Sequence, residues 1–600
     1  NNIPIWDDEL YLELHRGCYT SVANIKRLNR FGEVNLRNCE ILLTLFSMLF
    51  KNYEYPYAKM DKLWRELLFN QFHDILPGSS IQDVYYEQEQ ELEKMLQQTN
   101  HYIRAVLNFV MDTYLKKQNI EGPPEDFFII VNTLPWVRNE LISLEKLGLD
   151  SNSSYFYLKN IAPLSFKMLK KSELNGELLT EYNESEDNKT SLVLKNGEKQ
   201  MQIENSVLSL KIEKLTGRIT SLMHNGIGKE LIREDNGLGV YVYEEKKTKW
   251  PAWEIYKNFT SHPVNIGIVK GIQIIKDTDF VKTVKFIYKF RNTQIDHYIS
   301  LKRGSDKIDF KTDIDVHDEY LLFKVRFPMR INTNELRGET AYGYTKRNII
   351  PQTEYQKGKW EFPAQKYVDI SEEEFGATIL NNSKYGFSKN EKGVYLTLLH
   401  TPVRANTPFF SYIDLVPEDQ RTKYVDIGFN STEYALWIHE GDFETSNVWR
   451  KGYEYNYPLL IEKFNPGVLE TSDFSEVKLN EKFKKGFQKE FSVLSVDNPQ
   501  VILQVIKFPE KILLEKLKHP EFPDIKNNIP LILRAFETSG KDQKDVKIEF
   551  KSPLKVLKAM ETDLLERELD DKELTIQDHR ILIANFGKFE IKTIKLYLSR

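Results

Sequence analysis

Apolar positions along this chain repeat with two different periods, and the change from one to the other divides it. From about residue 21 to 118 the spacing is helical. Met60, Leu63, Trp64, Leu67 and Leu68 recur at i, i+3, i+4, i+7 and i+8, which places them on one helix face. Ile41, Leu42, Leu45, Phe46 and Leu49 form a second stripe. A longer one runs from Leu92, Met95 and Leu96 through Ile103, Val106, Leu107, Val110, Met111 and Tyr114. Three striped helices with short links predict a three-helix bundle, because each stripe needs another surface to bury it. Ser80, with Asp83 three residues on, resembles a capping pair that starts the longest helix.

After Glu121-Gly-Pro-Pro-Glu125 the period shortens. Short β-rich runs follow, broken by Gly, Asn, Asp and Pro: Phe128-Ile-Ile-Val131, Ser209-Leu-Lys-Ile-Glu213, Val284-Lys-Phe-Ile-Tyr288, Val394-Tyr-Leu-Thr-Leu-Leu399. Many short strands in series predict antiparallel β-sandwiches rather than a parallel sheet. The polar stretch Glu181 to Lys199 reads as a linker or loop, and a weaker boundary lies near Asn456-Tyr-Pro-Leu459. The expected class is a multidomain α+β protein. Its expected segments are 1–20, a three-helix bundle over 21–120, a small β subdomain with linker over 121–200, a large β-sandwich over 201–455 and a C-terminal β-sandwich over 456–600. The chain opens on Asn1, and Ile3-Pro-Ile-Trp-Asp-Asp-Glu-Leu-Tyr-Leu alternates like a strand with no earlier strand to pair with. We therefore expect a piece of a longer protein.

Composition narrows the class. With 41% hydrophobic residues the chain can build packed cores. The net charge of −5 comes without a basic block, so no nucleic-acid partner is expected. No apolar run reaches the ~18 residues of a membrane span, and no signal-peptide pattern is present. Cys18 and Cys39 alone cannot make a disulfide framework. A cytoplasmic location is the expectation, and Asn-x-Ser/Thr triplets such as Asn152-Ser-Ser then read as chance matches.

Five stretches could carry chemistry. In Asn70-Gln-Phe-His-Asp-Ile-Leu-Pro-Gly-Ser-Ser80, a helix would place Asn70, His73 and Asp74 on one face, offset from the leucine stripe and away from the bundle. Pro77 and Gly78 would end that helix sharply. His73 is a candidate metal ligand, and Asp74 could contact a sugar hydroxyl or orient the imidazole ring. The bland alternative is a histidine hydrogen-bonded near a helix end. In Asp313-Ile-Asp-Val-His-Asp-Glu319, Asp313, Asp315 and His317 share a strand face and could bind a cation, though a solvated face is the stronger reading. In Glu13-Leu-His-Arg-Gly17 with Thr20-Ser21, Arg16 could grip hydroxyls or a carboxylate, or the stretch could be a junction into a helix. Ser383-Lys-Tyr-Gly-Phe387 and Ala341-Tyr-Gly-Tyr344 are sugar-stacking loops or hairpin turns, and Tyr385 is the aromatic candidate.

Taken together these stretches resemble the α-mannosidases of glycoside hydrolase family 38, in their prokaryotic-type branch. Glu9-Leu-Tyr-Leu-Glu-Leu-His-Arg-Gly17, with Thr20-Ser21, Lys26, Asn29 and Arg30, is similar to an early run of that family. Leu68-Phe-Asn-Gln-Phe-His-Asp-Ile-Leu-Pro-Gly-Ser-Ser80 is close to its central motif. Asn132-Thr-Leu-Pro-Trp136, Thr216-Gly-Arg-Ile-Thr-Ser-Leu222, Ser383-Lys-Tyr-Gly-Phe387 and Phe589-Glu-Ile-Lys-Thr593 continue the likeness in order.

The resemblance implies retaining hydrolysis of terminal α-mannosides with a bound zinc ion, two carboxylates doing the bond chemistry. It implies His73 as a zinc ligand and Asp74, Arg16 and Tyr385 as contacts to an α-mannoside or oligosaccharide. The family's nucleophile, acid and remaining zinc ligands belong to an N-terminal α/β barrel expected upstream of Asn1, with residues 1–20 as its remnant. We accordingly expect no catalytic carboxylate in this chain and no activity from it alone. Two other readings stay open: a non-catalytic carbohydrate-binding or regulatory protein, and one subunit of a split mannosidase. The sequence leaves oligomeric state open, a homo-oligomer included.

Overall fold

The computed structural model describes residue 5 and residues 9–143, 155–176, 192–233, 237–246, 249–405, 416–417, 420–470, 474, 476–510, 528–551 and 553–599. Three helices open it: α1 (Ala23–Leu49), α2 (Tyr57–Asn70) and α3 (Gln82–Gln118). Antiparallel sheets follow, so the protein is a three-helix region succeeded by large β-sandwich domains. The stripes explain the helices. Ile41, Leu42, Leu45, Phe46 and Leu49 of α1 are all buried, as are Met60, Leu63 and Leu67 of α2 and Leu92, Met95, Val106, Val110 and Met111 of α3.

Two expectations about helix ends are corrected. Helix α2 stops at Asn70, so His73 and Asp74 are not on it. Asn70 is buried and does not share an exposed face with them. The chain turns too tightly after Asn70 for a regular helix: Gln71 N–H bonds Leu68 O at 3.1 Å and Phe72 N–H bonds Phe69 O at 3.1 Å, both three residues back. Ser80 does not cap α3, which begins at Gln82; the Ser80 hydroxyl instead donates to Asp74 O at 2.5 Å. The strand expected from Ile3 onward falls partly outside the described residues, and Glu9–Leu14 carry no strand.

The chain gathers into two compact units. The first comprises Asn1–Phe31, Leu68–Glu93 and Asp187–Asn456. A nine-stranded antiparallel sheet dominates it, with Lys307–Val316 paired to Gly428–Glu440 near its centre. Two five-stranded sheets accompany it, one holding Gly239–Glu244, Leu321–Phe327 and Gly393–His400, the other Arg218–His224 and Leu208–Glu213. All three feed one core, including Ile203, Leu210, Phe286, Ile299, Phe323, Leu396 and Leu436. Burying each such side chain contributes about 1.5–3 kcal/mol.

Strand alternation decides which residues reach that core. In Lys307–Val316 the residues Ile308, Phe310, Thr312, Ile314 and Val316 are buried, while Asp313 and Asp315 point outward. Asp313 accepts from Lys311 Nζ at 2.9 Å and from Ser431 Oγ at 2.6 Å, and Asp315 pairs with His317 at 3.0 Å. This is an ion-paired solvent face.

The second unit comprises Gly32–Leu67, Lys94–Glu186 and Tyr457–Arg600. One of its sheets joins Phe127–Asn132 and Ser165–Lys170 to Leu460–Lys463 and Glu490–Ser492, drawing on distant stretches of sequence. A four-stranded and a five-stranded sheet from Leu494 onward make the last sandwich. Phe46, Phe50, Phe109 and Phe474 form an aromatic cluster with ring centroids 4.5–5.5 Å apart where α1 and α3 meet this unit's loops.

Candidate functional site

The site is built from the start of α1 and the turn between α2 and α3, all within the first unit. Leading into α1, His15 takes a left-handed conformation (φ 68°) before a 3-10 turn over Arg16–Tyr19. Gly17 runs so close to the 252–254 segment that a Cβ there would lie 2.9 Å from Glu254 N. Ser21 Oγ lies 2.5 Å from Ala252 O and 2.7 Å from His400 Nε2, and His400 Nδ1 lies 3.1 Å from Glu245 Oε2. All of these side chains are buried. Helix α1 is capped from afar: both Asp426 oxygens accept from Ala23 N–H, at 2.9 and 3.2 Å. Negative charge is favourable at that helix end. Burial nevertheless pushes the Asp426 carboxyl up from the ordinary range.

Leu68 to Ser80 forms the other half. Gly78, with φ +86°, presses on Ser21 so tightly that a Cβ would sit 2.4 Å from Ser21 O. Lys26 Nζ bridges the two halves, donating to Ser21 O at 2.5 Å and to Leu76 O at 2.8 Å. Burial pushes the Lys26 ammonium down to about 8. From the α3 side, Tyr85 OH accepts from Ser80 N–H at 2.9 Å and lies 3.2 Å from Ile75 O and 3.3 Å from Asp74 O. Ser79 Oγ approaches Asp74 Oδ1 at 3.4 Å. Cys18, half-buried nearby, has its thiol pushed up to about 11 by desolvation.

On this braced turn His73 and Asp74 face solvent, their side chains 77% and 53% exposed, with Nε2 and Oδ2 3.4 Å apart. Phe72, Phe69 and Leu68 beside them are also exposed. An accessible imidazole next to an accessible carboxylate can ligate a cation and accept hydrogen bonds from hydroxyls.

Arg16 behaves differently. It is only 4% exposed, lies 3.5 Å from the Trp360 ring centroid, and donates to Gly358 O at 2.8 and 3.2 Å and to Glu254 Oε2 at 3.2 Å. Its charge is spent inside the fold. Tyr385 is half-buried, with its hydroxyl accepting from Arg30 Nε at 3.2 Å and its ring 4.7 Å from the Arg30 guanidinium. The site residues that sequence reasoning missed are Tyr85, His400 and Glu245. Tyr85 carries no motif signal, and Glu245 and His400 meet Ser21 only through the sheet that holds them.

Three family profiles match. "Alpha mannosidase middle domain" covers residues 13–110, which contains the start of α1, the turn with His73 and Asp74, and Tyr85. "Glycosyl hydrolases family 38 C-terminal domain" covers 203–408, and "Glycosyl hydrolases family 38 C-terminal beta sandwich domain" covers 514–594. The chain belongs to glycosyl hydrolase family 38. Alpha-mannosidase 2C1 of Mus musculus is 26% identical and that of Homo sapiens 27% identical, each over 99% of this chain and 51% of its own length. The chain thus spans about half the length of these relatives. Alpha-mannosidase of Saccharomyces cerevisiae is 28% identical over 76% of the chain and 38% of its own length. Among solved structures, an alpha-mannosidase from Enterococcus faecalis shares the fold with a TM-score of 0.68 at 14% identity, across 97% of this chain and 68% of that one.

For family 38 the implied metal is zinc. Among the described residues, no group of three or more His, Cys, Asp or Glu stands close enough to hold a metal ion. His73 and Asp74 offer two donors at most, whereas zinc sites take three or four protein ligands. The described residues do not by themselves fit the ion.

Proposed function

We propose that this chain supplies the middle and β-sandwich portions of a retaining, zinc-dependent α-mannosidase acting on terminal α-mannosides, and that alone it is inactive. The observation that carries this reading is the His73–Asp74 pair: exposed, adjacent, and held on a turn braced from both sides within the stretch that matches the mannosidase middle domain. In it His73 contributes one imidazole to a metal centre completed by residues outside this chain. Asp74 accepts a hydrogen bond from a mannose hydroxyl. The bond-breaking carboxylates also come from outside. Tyr385 belongs to the substrate wall, while Arg16, buried against Trp360, serves it by holding the 358–360 segment.

Exposed apolar side chains favour a covering partner over a free-standing binding protein. Leu10 is 89% exposed, and Leu12, Leu14, Leu68, Phe69 and Phe72 are exposed as well. The partner is a barrel on the same polypeptide or a separate subunit. The test is an aryl α-mannoside assay of the 600-residue chain with added zinc. No turnover is expected. Turnover well above a zinc-only blank overturns the proposed inactivity.

A further inference from the structure

We propose that Lys26 and Tyr85 are positioning residues that set the direction of His73 and Asp74; this rests on the functional reading above. The turn's own supports are short-range: Ile75 and Leu76 N–H reach Phe72 O at 3.0 and 3.2 Å, Gly78 N–H reaches Ile75 O at 3.0 Å, and the Ser80 hydroxyl donates to Asp74 O. Between Asn70 and Gln82 it lacks regular helix, and its side chains at 72, 73 and 74 face water. An exposed turn without brackets samples many conformations, and ordering each of its residues costs about 1–2 kcal/mol of backbone entropy. A ligand that needed one geometry would meet that cost on binding.

Here the cost is met in the fold. The Lys26 ammonium ties Leu76 O, three residues past His73, to Ser21 O. Ser21 is itself anchored: its hydroxyl lies between Ala252 O and the His400–Glu245 pair, His400 ending one strand and Glu245 following another. Gly78 closes the same junction by packing on Ser21 without a side chain. On the opposite side Tyr85, one turn into α3, takes the Ser80 amide and lies within bonding reach of the carbonyls of Asp74 and Ile75. The turn is therefore clamped on both flanks by a lysine and a tyrosine that reach its backbone, the tyrosine also meeting the Ser80 side chain. Neither touches the Asp74 carboxylate or the His73 ring in these contacts, so both act through geometry.

Hydrogen–deuterium exchange of the full chain tests this, together with the long-range proton–nitrogen resonance of the His73 ring. Lys26→Met and Tyr85→Phe should each speed exchange across residues 71–80 at least ten-fold and shift or broaden the His73 signal. Exchange in the sandwich strands should stay unchanged, and Lys26→Arg should restore much of the protection. Unchanged exchange at 71–80 in both variants overturns the proposal. So does a uniform rise over the whole first unit, because the residues would then only stabilise the fold. If Lys26→Met does not fold, Tyr85→Phe decides, since it removes one hydroxyl. The functional reading fails separately: if the activity-bearing protein tolerates both His73→Ala and Asp74→Ala, the mannoside role falls while the exchange result stands.

Discussion

Two histidine–carboxylate pairs in this chain look alike as chemistry and differ in everything else. His73–Asp74 are neighbours in sequence, exposed, and 3.4 Å apart. His439–Asp369 are far apart in sequence, buried at 2% and 0% exposure, and 3.0 Å apart. Around the second pair every polar atom is used. Asp369 accepts from Ser371 Oγ at 2.7 Å and Thr378 Oγ1 at 2.8 Å, and His439 Nδ1 lies 2.8 Å from Ser446 Oγ and 3.1 Å from Gly441 O. Gly376 leaves the ring no spare room, since a Cβ there would lie 2.4 Å from its Cε1. A buried pair of this kind holds strands together and has no way to meet a ligand. The exposed pair makes only local contacts, Asp74 with Ser79 Oγ at 3.4 Å and His73 with the Phe72 ring, and stays open to solvent. Burial, not residue type, separates the sealed pair from the open one.

The largest effect expected is on the buried pair. Asp369→Ala leaves His439 without its acceptor and should lower stability by about 3–5 kcal/mol in chemical denaturation. Asp74→Ala should cost no more than about 0.5 kcal/mol in the same experiment. Equal costs would break the comparison. Next comes the support of the exposed pair. Gly78→Ala forces a left-handed conformation and a clash with Ser21, with a cost of about 1–3 kcal/mol seen as a lowered denaturation midpoint.

A third histidine sharpens the role of burial by pH. His297 is fully buried, with Nδ1 3.0 Å from Thr312 Oγ1 and no carboxylate in contact, and burial lowers it to about 3. The unfolded chain protonates it near 6.5, so the unfolded state binds the proton first. Its contribution to stability is complete above about 6.5 and is lost as pH falls toward 3, with a slope of at most about 1.4 kcal/mol per pH unit. His297→Phe should flatten that part of the stability profile, and an unchanged slope would assign the acid sensitivity elsewhere. The smallest effect on stability belongs to His73→Ala, within about 0.5 kcal/mol. The same change should abolish mannosidase activity in whichever form of the protein carries it, and retained activity would remove His73 from the proposed metal centre.

Much of the architecture was legible because it rests on periodicity. The buried stripes of α1, α2 and α3 and the alternation of Lys307–Val316 could be read directly. Where α2 ends could not. The stretch Phe69-Asn-Gln-Phe-His-Asp contains no strong breaker before Pro77, so local propensity allowed a longer helix. Contacts from Lys26 and Tyr85 and the packing of Gly78 on Ser21 favour the tight turn instead, and the sequence does not show that the start of α1, with Ser21 and Lys26, will lie against it. The same limit hid His400 and Glu245. It also made Arg16 look like an open ligand contact, because nothing in its own stretch reveals that Trp360 and Gly358 will enclose it.

By itself, then, the sequence determined the helix stripes, the strand faces and the motif that holds His73 and Asp74, since each depends on residues within one or two turns of each other. Tertiary structure alone decided which histidines are sealed and which are open, and what braces the open one. Those outcomes depend on desolvation and on close approach between different elements, from Lys26 and Leu76, 50 positions apart, to Ser21 and His400, 379 apart, and only the folded chain brings them within a few ångströms.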